Sequence, residues 1–457
     1  MNDRTPGAGE DAPYSVGYTR YVMWLLMIML VVNFLDRQII NILAEPIKHD
    51  LGLADWQVGI MTGLAFAIFY TLFGLPVASL ADRMDRSRII GVALIIWSFF
   101  TAGCSLAQNF TQMLLFRIGV GVGEAGGTPP AHSLIVDVVP ESRRAFWLAF
   151  YSVGNPLGAL LGMVMGGVVG SLYGWRTAFL IAGVPGVVLG LLVLTTVRDP
   201  RAAHRRRLAA ADAKVPNFSE TIRFLKARPT FVTIAVAAAL KSLIGYGNAP
   251  FSASFFLRTH PAEIAGMADW LGRTIGAEMK PIGFLGLTLG LGLGISGIAG
   301  TLLGGYLADR LSRDDVRGYM TGPAYSVLAA VPVSMAAYLV DSAAIALSLL
   351  CVSAFLTAFW YGPVFSTAQA LAVPAMRAKT AALLLLIVNL LGLGLGPLFT
   401  GALSDVLNHA GMGEAGGLRM SLVLMSSLGV LSFIGFLMAR RTIAQDIQST
   451  TALADAK

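Results

Sequence analysis

The feature that most constrains this chain is a series of long apolar runs, each about 20 residues or more, separated by short basic segments. A helix needs about 20 mostly apolar residues to cross the hydrocarbon core of a bilayer. Only 13% of the 457 residues are charged and the mean hydropathy is +0.70, whereas roughly a quarter of the residues of a soluble domain are charged. The runs therefore predict an all-α membrane protein.

Twelve such runs predict twelve transmembrane helices in two six-helix bundles. The predicted helices cover residues 19–46, 56–81, 88–108, 110–136, 144–171, 175–197, 229–257, 283–308, 318–340, 343–371, 379–405 and 418–440. The polar segment 198–228, which contains Arg205, Arg206 and Arg207, divides them six and six. The predicted organisation is a tail at 1–18, a bundle at 19–197, a central loop at 198–228, a bundle at 229–441 and a tail at 442–457.

The distribution of Lys and Arg predicts the orientation of these helices. If the N-terminus is cytoplasmic, 24 of the 33 Lys and Arg residues lie in cytoplasmic segments and six in external segments. Cytoplasmic loops of membrane proteins carry such an excess, so both termini and the central loop are expected inside the cell. Topology then explains the net charge of +7, and no nucleic acid partner is expected.

A short motif occurs once in each predicted bundle. Leu-Ala-Asp-Arg-x-x-Arg follows the second helix, with Asp82, Arg83 and Arg86, and follows the eighth helix, with Asp309, Arg310 and Arg313. Internal symmetry of this kind is typical of transporters built from two related halves, with the substrate near the midplane between them. We interpret the six charged residues as conformational latches at the cytoplasmic edge; the alternative is solvated charge that only fixes topology.

The repeated Asp-Arg-x-x-Arg loop resembles the signature of the major facilitator superfamily. Two further segments match it: Arg117 with Gly121 and Gly123 in the fourth helix, and Gly154-Asn-Pro-Leu-Gly158 in the fifth. A finer resemblance is to the Spinster branch of sphingolipid and lysolipid transporters. It is based on the segments Asn33-Phe-Leu-Asp36-Arg37, Arg117-Ile-Gly-Val-Gly-Val-Gly-Glu124-Ala and Trp175-Arg176.

The resemblance implies a monomeric carrier that works by alternating access. The expected substrate is an amphipathic, anionic lipid such as sphingosine phosphate or a lysophospholipid. The expected partners are membrane lipids, this lipid-like substrate and protons, and the proton gradient takes the place of a cofactor. The expected location is the bacterial inner membrane. A related branch moves organic anions such as hexuronates, so import of a sugar acid with protons remains the alternative.

Ionisable residues inside the predicted helices indicate where transport chemistry occurs. Asp36, Arg117 and Glu124 fall at similar depths, because Asp36 lies between the other two when 1.5 Å is counted per residue. Charged residues in a bilayer are costly and by default face a cavity. We interpret Asp36 and Glu124 as proton sites and Arg117 as the cation that tunes them; the alternative is a static salt bridge between the first and fourth helices.

Other polar and aromatic residues in the apolar runs are candidates for binding the substrate. Arg37 and Lys241 are expected to be free to contact a phosphate or carboxylate. The remaining candidates lie in the seventh and tenth helices: Tyr246, Asn248, Trp360, Tyr361 and Ser366. Ordinary packing is an equally good interpretation of the aromatic ones.

A helix break is expected directly after Glu124. Gly126, Gly127, Pro129 and Pro130 weaken the fourth helix there, because proline removes a backbone donor and clashes with an earlier carbonyl. We interpret these four residues as a hinge. A lipid-modifying membrane enzyme is a third hypothesis, but the sequence has no metal-ligand spacing and no nucleophile motif to support it.

Overall fold

A computed structural model describes residues 14–203 and 218–455, and within that range it contains helices and no strands. The predicted loop residues Arg205, Arg206 and Arg207, most of the N-terminal tail and the side chains of Asp82 and Arg83 lie outside the described residues. We call residues 14–203 the N-terminal half and residues 218–455 the C-terminal half. We call the end that contains Glu45 and Arg258 the outer end, following the Lys and Arg count.

The N-terminal half contains nine α-helices. They are α1 (Val16–Ile42), α2 (Ala44–Leu51), α3 (Asp55–Gly59), α4 (Ala65–Arg83), α5 (Arg86–Gly103), α6 (Phe110–Glu124), α7 (Thr128–Val138), α8 (Arg144–Ser152) and α9 (Gly154–Thr196). A π-helical segment, Ile60–Leu64, joins α3 to α4, and 3₁₀ turns cover Cys104–Leu106, Glu141–Arg143 and Pro200–Ala203. Gly174 has a φ of 84° inside α9, so two helices meet at that residue, as the sequence predicted between 171 and 175.

The C-terminal half contains the other twelve α-helices. They are α10 (Phe218–Lys226), α11 (Pro229–Asn248), α12 (Ser252–Thr259), α13 (Pro261–Ile275), α14 (Pro281–Leu311), α15 (Gly318–Leu339), α16 (Ala343–Thr357), α17 (Tyr361–Ala370), α18 (Arg377–Ile387), α19 (Gly396–Leu407), α20 (Gly413–Ser427) and α21 (Gly429–Asp455). Residues Ala249–Phe251 and Pro374–Met376 are 3₁₀ turns, and Val388–Leu395 and Asn408–Met412 are π-helical.

Nine helical segments of the described residues are long and apolar enough to cross a membrane. Two of them exceed the length of one span: Phe146–Thr196 has 51 residues and Lys379–Ala452 has 74. The predicted helix at 110–136 is instead two short helices, α6 and α7, interrupted at Ala125–Gly127. Pro129 and Pro130 therefore lie in the first turn of α7, where proline has no helical hydrogen bond to break.

The buried apolar residues of the described ranges form three clusters, and one of them combines buried residues of both halves. The outer cluster combines Ile39 and Phe179 of the N-terminal half with Phe251, Phe255 and Leu285 of the C-terminal half. At the inner end each half has its own cluster, with Trp97 and Val120 buried in one and Phe231 and Phe436 in the other. The halves are thus packed together at the outer end and have separate cores at the inner end.

Both halves join their first long helix to their last. In the N-terminal half the Tyr18 hydroxyl donates to the Thr196 carbonyl over 2.8 Å. In the C-terminal half Asp446 of α21 accepts from the backbone N–H of Thr230 over 2.9 Å, which caps the start of α11. Asp446 lies in the predicted tail at 442–457, which is helical up to Asp455 as part of α21.

Candidate functional site

A buried ion pair lies at the centre of the N-terminal half. Arg37 of α1 donates through Nε to Glu124 Oε2 over 2.7 Å. The Glu124 side chain is fully buried, whereas 18% of the Arg37 side chain is exposed. Arg37 therefore lies between the carboxylate and open space.

Aromatic rings surround this arginine. The guanidinium carbon of Arg37 is 4.7 Å from the ring centroid of Phe66, 5.0 Å from that of Tyr70 and 5.3 Å from that of Phe34. These distances favour attraction between the cation and the ring faces. Phe34, Phe66 and Tyr70 were not predicted as site residues, because aromatic residues in apolar runs give no sequence signal that separates packing from function.

Arg37 was expected to be free, but it is paired with Glu124. Arg117 was expected to be the cation that tunes the carboxylates, and that role stays a prediction. Arg117 is buried and donates through Nε to the carbonyl of Met61 over 3.3 Å. Met61 lies in the π-helical segment, where the wider turn leaves carbonyls available. Within the described residues, Arg117 makes no ion pair.

Asp36 of α1 is held against α5. It is fully buried, and its Oδ2 accepts from the Thr101 hydroxyl of α5 over 3.1 Å. Its Oδ1 has no hydrogen-bond partner among the described residues. A buried carboxylate with an unsatisfied oxygen is costly when ionised, and the role of Asp36 as a proton site stays a prediction.

The seven predicted substrate-binding residues divide into exposed and buried groups. Tyr246, Tyr361 and Ser366 are exposed, and Arg37 is partly exposed. Lys241, Asn248 and Trp360 are buried. Trp360 packs in the inner core of the C-terminal half, and the Asn248 amide donates to Ser426 over 3.4 Å. Lys241 has no ion pair within the described residues.

An ion cluster at the outer end joins the two halves and was not predicted. Arg258 of α12 donates to both oxygens of Glu45, each over 2.7 Å, and to both oxygens of Asp55, over 2.8 and 2.9 Å. Lys48 lies 3.0 Å from Asp55, and Ser404 donates to Asp55 over 2.7 Å. We call these residues, Glu45, Lys48, Asp55, Arg258 and Ser404, the outer clamp. Lys48 and Arg258 are two of the six Lys and Arg residues predicted in external segments.

The outer clamp has two further features, a helix cap and an ionised carboxylate. Asp405 of α19 accepts from the backbone N–H groups of Asp55 and Trp56, over 3.1 and 2.8 Å, so one half caps a helix of the other. Burial opposes ionisation of Glu45, but the hydrogen bonds from Arg258 outweigh burial and hold its pKa below the ordinary value. Glu45 is therefore ionised at neutral pH.

The charged residues of the repeated motif behave differently in the two halves. Arg86 is fully buried and pairs with Asp137 over 2.7 Å and with Asp199 over 2.5 Å, both in the N-terminal half. Burial alone would raise the pKa of Asp199, yet the hydrogen bonds from Arg86 keep it below the ordinary value. Asp309, Arg310 and Arg313 are exposed. Arg86 thus braces its own half, and the latch role of these residues stays a prediction.

The fold and its buried charges define a helical membrane carrier, and comparison with known proteins places the chain in a family. The model of the Major Facilitator Superfamily matches residues 26–397. An MFS-type efflux pump of Mycolicibacterium smegmatis is 32% identical over 423 residues, 93% of each chain. The chain belongs to the Major Facilitator Superfamily and is an integral membrane protein.

The resemblance to the Spinster branch is confirmed as well. A crystal structure of a bacterial homolog of the human lysosomal transporter Spinster, in an inward-facing conformation, matches with a TM-score of 0.81 and 31% identity. The match covers 95% of this chain and 99% of the other. A probable sphingolipid transporter of Arabidopsis thaliana is 27% identical over 58% of this chain and 55% of its own. A probable L-galactonate transporter of Escherichia coli is 30% identical over 37% of each.

Proposed function

We propose that this protein is a proton-coupled carrier of an amphipathic, anionic lipid, such as a lysophospholipid, that works by alternating access. The observation that supports this most is the Arg37–Glu124 ion pair, which is closed on one side and reaches open space on the other. A lipid phosphate can bind the exposed side of Arg37 when the ion pair between Arg37 and Glu124 weakens. Protonation of Glu124 weakens this ion pair, because a neutral carboxyl attracts the guanidinium less than a carboxylate does.

The arrangement of the halves supports an alternating-access cycle. The outer clamp and the shared outer core close one end, while the inner cores are separate. We propose that this is an inward-open state of twelve transmembrane helices with both termini in the cytoplasm of a bacterial cell. The likeness to the inward-facing Spinster homolog supports the same assignment.

The aromatic surroundings of Arg37 favour a lipid over a small polar anion. Phe34, Phe66 and Tyr70 take up the space around its guanidinium. Such a site has one available cation and much apolar surface, which suits a phosphate attached to an acyl chain. A sugar acid is the second candidate, favoured by the match to the galactonate transporter and by the unpaired cation of Lys241.

A binding experiment separates the two candidates. Lysophosphatidylglycerol and glucuronate are titrated into the purified protein and into Arg37→Ala and Lys241→Ala variants at pH 6, with binding measured by calorimetry. We expect the lipid to bind, with at least tenfold weaker binding in Arg37→Ala, because a charge-assisted hydrogen bond contributes about 1.5–3 kcal/mol. We expect Lys241→Ala to bind the lipid within twofold of the parent. Binding of glucuronate alone, weakened by both substitutions, would replace the lipid with a sugar acid.

A further inference from the structure

An apolar groove at the inner end of the C-terminal half plays no part in the proposed transport chemistry. It has a volume of about 400 Å³ and lies between α10, α11 and α18, continuing along the π-helical segment to Leu391. Of its thirteen lining residues, Lys226 is the exception to an otherwise apolar surface. The groove lies outside the Arg37 site.

The length of the groove matches one leaflet of a bilayer. Its lining on α11 runs from Phe231 to Leu243, a rise of roughly 18 Å along the helix. The hydrocarbon core of a bilayer is about 30 Å thick, so one leaflet accounts for about 15 Å. An acyl chain of the cytoplasmic leaflet would therefore fill the groove from its inner end to near the midplane.

The charge at the mouth of the groove identifies the kind of lipid. Lys226 lines the mouth and is exposed at the end of α10, and Arg223 is exposed one turn earlier. The short helix α10 is amphipathic, with Leu225 and Thr221 buried against the protein. Basic residues on amphipathic helices at the cytoplasmic surface attract anionic lipids.

We propose that this groove binds one acyl chain of an anionic phospholipid of the cytoplasmic leaflet, with the lipid phosphate at Lys226. The site is distinct from the Arg37 site and does not depend on lipid being the transported substrate. Val236 projects into the groove and is 54% exposed, so a larger side chain there fills the groove without disturbing the core.

The test uses the full chain in phosphatidylcholine nanodiscs that contain a phosphatidylglycerol probe with a diazirine in mid-chain. Cross-linked peptides are mapped by mass spectrometry, with a phosphatidylcholine probe in parallel. We expect the phosphatidylglycerol probe to label α11 and α18. Val236→Trp should lower this labelling at least fivefold, while Val188→Trp, on an exposed position of α9, should leave it unchanged.

A second variant tests the head group. Lys226→Glu should lower labelling by the phosphatidylglycerol probe at least fivefold and leave labelling by the phosphatidylcholine probe within twofold. Equal labelling by both probes in the parent, unaffected by Lys226→Glu, would overturn the anionic specificity. Absence of labelling on α11 and α18 would overturn the site. If Val236→Trp does not fold, Val232→Trp, at a position 43% exposed in the same groove, replaces it.

Discussion

Single residues decide where this molecule can respond to pH. Arg258 holds the pKa of Glu45 in the outer clamp below its ordinary value. The contribution of ionised Glu45 to the stability of the clamp is therefore fully present above that ordinary value. It is lost only as the pH falls through the lowered pKa. Glu45 therefore does not titrate between pH 5 and 8. We propose that a pH response in that window arises at the buried carboxylates of α1 and α6.

The first prediction concerns those two carboxylates. Asp36→Asn and Glu124→Gln mimic the protonated forms, so the double variant should lose nearly all pH dependence of the conformational balance between pH 5 and 8. The measurement is the distance between spin labels placed across the inner and outer ends, titrated over that range. Glu141→Gln, a 90% exposed carboxylate beyond α7, is the control and should titrate like the parent. A double variant with a parental titration would assign the proton sites elsewhere.

At the scale of helices, contacts between glycines hold the outer end together. Gly167 of α9 and Gly286 of α14 face each other, and a Cβ added at Gly286 would lie 2.4 Å from the Met163 carbonyl oxygen. On the other side of the molecule, a Cβ at Gly59 would lie 2.3 Å from the Pro397 carbonyl oxygen. Both contacts join the N-terminal half to the C-terminal half, and both involve backbone atoms that cannot turn aside.

Gly286→Ala should therefore separate the halves at the outer end. The added methyl group forces α9 and α14 apart, and overpacking of this kind costs about 1–3 kcal/mol. We expect the population of outward-open molecules to rise about fivefold or more, as measured by spin-label distances across the outer end. Gly294→Ala in the same helix, where a Cβ meets nothing within 4 Å, is the matched control. Equal distance distributions in the two variants would contradict this account of the contact.

Some features of the helices could be predicted from the sequence and others could not. The break at Gly174 and the break after Glu124 were predictable, because glycine and proline act locally on the backbone. The pairing of Arg37 with Glu124 was not, because it depends on Arg117 donating to the carbonyl of Met61 in a π-helical turn of another helix. The outer clamp was missed for a similar reason: its members Glu45 and Arg258 are 213 residues apart.

At the scale of the whole molecule, the sequence predicts how the protein is oriented in the membrane. The Lys and Arg excess predicts that both termini and residues 204–217 are cytoplasmic. Single cysteines in 204–217 and in α13, introduced into a variant that lacks Cys104 and Cys351, should react oppositely with an impermeant maleimide. In right-side-out vesicles, α13 should be labelled and 204–217 protected. Labelling of 204–217 would invert the topology and move the outer clamp to the cytoplasmic side.

The pairing of Asp446 with Thr230 has a consequence for biogenesis. Thr230 of α11 is synthesised 216 residues before Asp446 of α21, so the first long helix of the C-terminal half enters the membrane without the carboxylate that caps its start. Unsatisfied N–H groups at a helix start are costly away from water, and the N–H of Thr230 acquires its carboxylate partner only once α21 has been synthesised. The N-terminal half, by contrast, already has both Tyr18 and Thr196 by then. The contact between the first and last long helices therefore forms earlier in the N-terminal half than in the C-terminal half. A stop codon before Asp446 would leave the start of α11 without its cap.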